Sequence, residues 1–368
     1  MKILYVSNSV KIYNQGFRND FYPLLELGHE IVWAANFNGF IGDKSEIPAR
    51  LEQIDIQSYP FHKSNLRALK RIKQLLKEEE FHVVVCTTPI GGALARMAAK
   101  KAKDKKVIYL AHGFLFFKGA PLINRTVYKW QEELMSRWTD AIVTITDEDF
   151  EAAKKFKLRQ KDNVFLVHGA GVDTAVKLNA TREEKRKELN LDEDNFVIAS
   201  AGVLNKNKNN IAVIKAINEL RNKKIKYLIC GEGDEKKRML DYVKDNGLEE
   251  QIIFLGFRTD IQDIFNACDL FAMPSFREGV PRSLLEAMNL GKPCIGADTR
   301  GIRELIGVEN TDCLCDPYNY KEFVTAIDKI MNDKQRAEEL GERNKGEVYK
   351  YTSDQVKSEL LEMYKKTL

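Results

Sequence analysis

The 368 residues are more than one ordinary domain needs and enough for two, and 44% hydrophobic against 30% charged content excludes a disordered or fibrous chain. No stretch approaches the roughly 18 consecutive apolar residues of a membrane-crossing helix, and Met1-Lys2-Ile3-Leu4-Tyr5-Val6 is too short an apolar run for a secretion leader, so a cytoplasmic protein is expected. The net charge of +4 excludes little by itself.

In chain order, apolar runs at Ile3–Ser7, Glu30–Ala35, His82–Thr87, Lys106–Ala111, Ala141–Thr146 and Asn163–Val167 predict strands. Amphipathic stretches at 17–27, 64–79, 90–103 and 122–138 predict helices between them. The pattern restarts with strands at Phe196–Ala201, Lys226–Cys230, Ile252–Leu255, Leu270–Met273 and Cys294–Ala297, and helices at 209–221, 234–246, 260–266, 281–290 and 319–331. Alternating β and α elements with continuously apolar strands imply parallel sheets covered on both faces. The expected fold class is therefore α/β, with two doubly wound Rossmann-like domains facing across a cleft. The stretch 170–195 is polar and charged, and the linker is expected near its start. The expected boundaries are 1–172, completed by a final helix at 354–368, and 173–353.

Six cysteines sit mostly in apolar runs, as buried thiols of a reducing compartment would. Cys313-x-Cys315 has no second pair or histidine nearby, so no metal site is expected there. Between residues 63 and 106, twelve Lys or Arg stand against four acids. Leu66, Leu69, Ile72 and Leu76 recur there at helical spacing, and the basic face suits an anionic membrane surface as well as water. No fold or aromatic interleaving supports nucleic-acid binding.

Ligands of open parallel sheets bind beyond the carboxyl ends of the strands. After the strand at 270–273 comes Pro274-Ser275-Phe276-Arg277-Glu278-Gly279-Val280-Pro281-Arg282-Ser283-Leu284-Leu285-Glu286. Pro281 suits the first turn of a helix. Gly279, Val280, Arg282 and Ser283 would then surround a helix N-terminus able to bind an anion. Glu286, about two turns from Glu278, offers a carboxylate to a ribose diol. Read by spacing alone, solvated surface residues are the better account of both glutamates; the whole surrounding string reverses that.

In this setting Glu278-x7-Glu286 resembles the signature of glycosyltransferase family 4, retaining enzymes of the GT-B fold. Ala111-His112-Gly113-Phe114 is similar to the family's histidine loop, and Gly169-Ala170-Gly171-Val172-Asp173 to its interdomain segment. Gly202-x5-Lys208 is similar to its phosphate loop; Gly231-Glu232-Gly233 and Leu255-Gly256-Phe257-Arg258 are similar to two further strings. The run from His112 through Lys118-Gly119-Ala120-Pro121-Leu122 resembles bacterial exopolysaccharide and capsule enzymes.

The resemblance implies transfer of a sugar from a nucleotide diphosphate sugar, with uridine expected as the base, to a saccharide or polyprenyl-diphosphate-linked acceptor. It makes Glu278, Lys208 and His112 the catalytic candidates and Glu286 the ribose ligand. Gly202, Asn205, Lys206, Phe257 and Arg258 would complete the donor site, and Asn14, Gln15 and Gly16 would face the acceptor. No metal or other cofactor is expected; Asp192-Glu193-Asp194, the string nearest to a metal motif, lies in a charged stretch. One departure is plain: Val203 follows Gly202 where many relatives carry Arg, and Lys206 and Arg282 are the candidates to supply that charge. A nucleotide-sugar epimerase and a non-catalytic sugar-binding protein are the alternatives on the same fold.

Overall fold

The computed structural model describes residues 1–169 and 171–368, and the chain divides into two compact units. The first holds Met1–Gly171 and Ser353–Leu368, the second Val172–Thr352. Ala170, in the string read as interdomain, lies outside the described residues.

The first unit runs β1 (Lys2–Ser9), α1 (Gln15–Glu26), β2 (Glu30–Asn36), β3 (Arg50–Gln53), α2 (Lys63–Glu78), β4 (Val83–Thr87), α3 (Pro89–Ala99), β5 (Lys106–Ala111), α4 (Lys129–Ser136), β6 (Ala141–Thr144), α5 (Asp147–Ala153) and β7 (Val164–Leu166). Its strands pair in parallel in the order β3-β2-β1-β4-β5-β6-β7. Alternation along each strand splits the core into two layers. Ile3 and Tyr5 of β1 and Trp33 of β2 face α1 and the chain's last helix, Ser353–Thr367. Leu4, Val6, Val32 and Val84 face α2 and α3. At the end of β7 the His168 backbone N–H donates to Glu359 Oε2 at 2.9 Å, and its Nδ1 lies 2.7 Å from Glu359 Oε1, which ties the last helix to the sheet.

The second unit runs α6 (Arg182–Glu188), β8 (Phe196–Ala201), α7 (Asn210–Leu220), β9 (Ile225–Cys230), α8 (Lys236–Asp245), β10 (Ile252–Gly256), α9 (Ile261–Ala267), β11 (Leu270–Met273), α10 (Arg282–Asn289), β12 (Cys294–Ala297), α11 (Arg300–Ile306), β13 (Leu314–Cys315), α12 (Tyr320–Asn332) and α13 (Lys334–Val348). The strand order is β10-β9-β8-β11-β12-β13, again parallel throughout.

Several expectations are corrected. Residues 182–188, for which no element was expected, form α6, started by a full capping box between Thr181 and Glu184. The helix has no apolar stripe because Arg186 does the anchoring: its guanidinium, nearly buried, donates to the carbonyls of Ala267, Asp192 and Asn195. The expected strand 141–146 ends at Thr144 because the Thr146 side chain caps α5. The helix expected over 122–138 carries a π turn at Asn124–Tyr128 ahead of α4. β3, β13, α5, α11 and α13 were not expected at all.

The basic stretch 63–106 is also less exposed than its count suggests. Arg96 is fully buried, donating to Glu132 Oε2 at 2.7 Å with its guanidinium 3.9 Å from the Tyr109 ring centre. Arg71 pairs with Glu52 and Glu78, and Lys106 donates to the carbonyl of Thr367. Leu66, expected on the apolar stripe, is 73% exposed, whereas Ile72 and Leu76 are buried. All six cysteines are free and buried. No helix among the described residues is long and apolar enough to cross a membrane.

Candidate functional site

In the second unit the strand order reverses between β8 and β11, so two crossover connections leave the sheet there in opposite directions. That divergence opens a crevice at the carboxyl ends of the two strands. The loops that follow them, 202–209 and 274–281, form walls of a cavity of about 640 Å³. Gly202, Lys208, Phe257, Arg258, Glu278 and Glu286 line it, together with Val280, Arg282 and Ser283.

Backbone packing accounts for the glycines. Gly202 follows β8 at φ +150, and a Cβ on Gly231 would stand 1.9 Å from the Gly202 carbonyl oxygen. A Cβ on Gly233 would stand 2.3 Å from that of Leu204. The two loops thus run against each other main chain to main chain, leaving room for a ligand above them. Lys208 sits at the end of a short 3-10 turn capped by Asn205, whose side chain accepts from the Lys208 N–H. Its ammonium donates to Glu278 Oε1 at 2.8 Å.

The other wall is the start of α10. Pro281 precedes the helix rather than opening it, and it offers no side-chain acceptor to the first-turn N–H groups. The Leu284 N–H donates to the Pro281 carbonyl at 3.2 Å, which leaves the N–H groups of Arg282 and Ser283 and the positive helix end for an anion. Ser283 Oγ donates to the Ala201 carbonyl at 3.1 Å and pins the helix to the end of β8. One turn on, Glu286 accepts from Arg282 Nε at 2.8 Å. Arg258 pairs with Asp260 and Glu188; these bonds hold its guanidinium well above the usual arginine range and Asp260 well below the carboxylate range. Phe257 is 82% exposed and presents a free aromatic face at the rim. Burial pushes the Cys230 thiol in the wall up to about 12, so it stays protonated and is no nucleophile.

Three charge pairs therefore converge on one crevice, and each cation is matched by a carboxylate.

Asn205 and Lys206 are not brought to this cavity. They border another, of about 330 Å³, with Asn209, Phe276 and Tyr318. Of the two replacements considered for the arginine absent at Val203, only Arg282 faces the main crevice. In the first unit His112 follows β5, with Nε2 3.8 Å from Oδ2 of the buried Asp20, which also accepts from Tyr5 at 2.5 Å. Asn14 caps α1, its side chain accepting from the Phe17 N–H; Gln15 donates to Asn19 at 3.0 Å, and Gly16 follows in the helix. Among the described residues, no three His, Cys, Asp or Glu side chains cluster as a metal site requires.

Two residues escaped sequence reasoning. Arg300, nearly buried, donates from Nε to the Glu278 carbonyl at 3.2 Å. A Cβ on Gly301 would fall 1.3 Å from the Gly279 carbonyl oxygen, so only glycine lets α11 approach this loop. Their sole sequence signal is a glycine beside an arginine after β12.

Two family models match the chain: "Glycosyl transferases group 1" over residues 181–347 and "Glycosyltransferase Family 4" over residues 24–175. EpsD of Bacillus subtilis, assigned by name to the glycosyltransferases, is 30% identical over 349 residues, which span 92% of this chain and 90% of that one. The Escherichia coli UDP-Gal:alpha-D-GlcNAc-diphosphoundecaprenol alpha-1,3-galactosyltransferase is 27% identical over 276 residues, or 73% of this chain and 71% of that one. Among solved structures, Anabaena HepE in complex with UDP and glucose shares the fold with a TM-score of 0.79 at 19% identity, both chains covered fully. The sucrose-phosphate synthase of Thermosynechococcus elongatus does so with a TM-score of 0.80 at 15% identity, covering 100% of this chain and 98% of that one.

Proposed function

The chain belongs to glycosyltransferase family 4, and from that membership we propose that it moves a glycosyl group from a UDP-sugar to a glycan or lipid-linked saccharide acceptor in cell-surface polysaccharide synthesis. The observation that carries the donor assignment is the Lys208–Glu278 pair at the strand-order reversal, with Glu286 one helix turn beyond Arg282. In this reading the diphosphate takes Lys208 and the open N–H groups of α10, Glu286 accepts from the ribose hydroxyls, and the base packs on Phe257. Glu278, released from Lys208, turns to the transferred sugar. The epimerase alternative is disfavoured because the named relatives transfer sugars.

The anomeric C–O bond to the diphosphate breaks, and a new one forms to the acceptor hydroxyl. The hydroxyl proton passes to the departing phosphate oxygen, on the face the acceptor enters, so configuration is retained. Charge on the leaving diphosphate is met by Lys208, Arg282 and the helix end, an electrostatic stabilisation that needs no divalent cation. His112 serves the reacting sugar, and Asn14, Gln15 and Gly16 the acceptor. Docking of the exposed lysines of α2 on an anionic membrane surface at the cytoplasmic face completes the reading.

Calorimetry with UDP, GDP and their sugars, with and without magnesium, tests it. Metal-independent UDP binding in the micromolar range supports the donor site. Absence of binding by every nucleotide overturns it in favour of a non-catalytic protein.

A further inference from the structure

The histidine loop continues into a third cavity, within the first unit. It measures about 320 Å³ and is bordered by Phe116, Phe117, Lys118, Arg125, Lys129 and Lys155, with Glu148 and Asp149 at its base. The two carboxylates are engaged with main chain: Glu148 accepts from the Lys118 N–H at 2.6 Å and Asp149 from the Phe114 N–H at 3.1 Å. Lys129 has only a loose exposed pair, 3.7 Å from Glu133. The side chains of Lys118, Arg125 and Lys155 have no carboxylate partner among the described residues. Four cations and two carboxylates thus line a small cavity, a formal excess of 4 − 2 = 2 positive charges.

Beside it lies an apolar face with nothing packed on it. Leu122, Ile123, Val127 and Trp130 are all exposed, Trp130 by 64%, along the π turn Asn124–Tyr128 and the start of α4. Arg125 and Lys129 interleave with them. Exposed apolar side chains in such a row mark a binding surface. Cations flanking them select an amphiphile with an anionic head.

We propose that this cavity binds the diphosphate of a polyprenyl-diphosphate-linked acceptor, and that Leu122, Ile123, Val127 and Trp130 hold the first isoprenoid units. The inference rests on the glycosyltransferase reading above and assigns a place to its acceptor. Such a lipid is apolar chain, diphosphate and saccharide in that order. The segment 112–130 offers matching parts in the reverse order along the chain: His112 first, then the cation ring from Lys118, then the apolar face. The double negative charge of the diphosphate fits Lys118, Arg125, Lys129 and Lys155, and Phe116 and Phe117 provide an apolar floor.

The test is calorimetry on the full chain with farnesyl diphosphate as the probe. Farnesol, inorganic pyrophosphate, phosphatidylglycerol vesicles and UDP are run beside it. Farnesyl diphosphate should bind at least about tenfold more tightly than farnesol or pyrophosphate alone. The double variant Arg125→Ala/Lys155→Ala should weaken it by about tenfold or more and leave UDP affinity within twofold. Trp130→Ala should weaken farnesyl diphosphate and leave pyrophosphate unchanged. Equal farnesyl diphosphate affinity in parent and double variant overturns the site. So does displacement of farnesyl diphosphate by UDP, which would put it in the donor crevice. Vesicle binding that farnesyl diphosphate does not compete with would mean a lipid surface instead of a diphosphate site, and also overturns it. If UDP binds and farnesyl diphosphate does not, this inference fails while the donor reading stands; if neither binds, both fail.

Discussion

Gly301→Ala is the smallest change expected to disable the donor crevice without touching a ligand. The added methyl would lie 1.3 Å from the Gly279 carbonyl oxygen and 2.5 Å from its carbon. A nonbonded carbon–oxygen contact needs about 3.3 Å, so the loop or α11 must retreat by roughly 2 Å. The clashing atoms are main chain, and no side-chain rotation relieves them. Overpacking of this kind costs about 1–3 kcal/mol, or a Tm lowered by about 2–12 °C for a unit of this size. The effect on the site should be larger, because Gly279 lies between Glu278 and Val280, and the Arg300 bond to the Glu278 carbonyl would be lost with the shift. Misplacing a reacting group by about 1 Å costs on the order of a hundredfold in rate. UDP affinity by calorimetry and UDP release from a panel of UDP-sugars with acceptor are the readouts. Gly346→Ala in α13 is the control: its Cβ meets nothing within 4 Å, and the change should stabilise by about 0.5–1 kcal/mol with turnover unaltered. If Gly301→Ala kept both UDP affinity and turnover within threefold of the parent, the placement of this loop would not govern the site.

Two further predictions address the carboxylates. Glu286→Ala should weaken UDP binding by about tenfold or more, the loss of charge-assisted hydrogen bonds worth about 1.5–3 kcal/mol, with little effect on folding because Arg282 is exposed; Glu278→Gln should instead lower turnover by about a hundredfold and change UDP affinity less than threefold, and identical behaviour of the two variants would refute the division of roles. At Glu359, burial pushes the carboxyl up, but hydrogen bonds from His168 and Gln355 outweigh it and hold it below the usual range. A folded value below the unfolded one stabilises above the ordinary carboxylate range, about pH 4.3, and that stability is lost as pH falls through the folded value. Glu359→Gln should therefore lower the Tm of the first unit by about 2–6 °C at pH 7, with the gap to the parent closing toward pH 3; a gap that stays constant on acidification would contradict the assignment.

Much of the site was legible because its chemistry is local in the chain. Glu278, Arg282 and Glu286 are spaced by one helix start, and a proline, a glycine and an apolar strand before them suffice to mark a helix beginning at the carboxyl end of a strand. Alternating apolar runs likewise foretold two parallel α/β units, since buried central strands leave an unbroken apolar record. Elements without that record were invisible: α6 is anchored by Arg186, and β3 lies at a sheet edge with its side chains half exposed.

The amino-acid sequence by itself determined the fold class, the family and the glutamates of the α10 turn, because periodicity, turn chemistry and motif spacing are properties of neighbours along the chain. Only the tertiary structure decided which cations face the crevice and which do not. It seats Arg282 there and turns Lys206 to another cavity, buries Arg96 against Glu132 and Tyr109, and leaves Lys118, Arg125 and Lys155 around an open one. It also made Gly301 indispensable, through the approach of α11 to Gly279. A charge acts through space, and a glycine matters through what would touch its missing side chain; both depend on residues that only folding brings together.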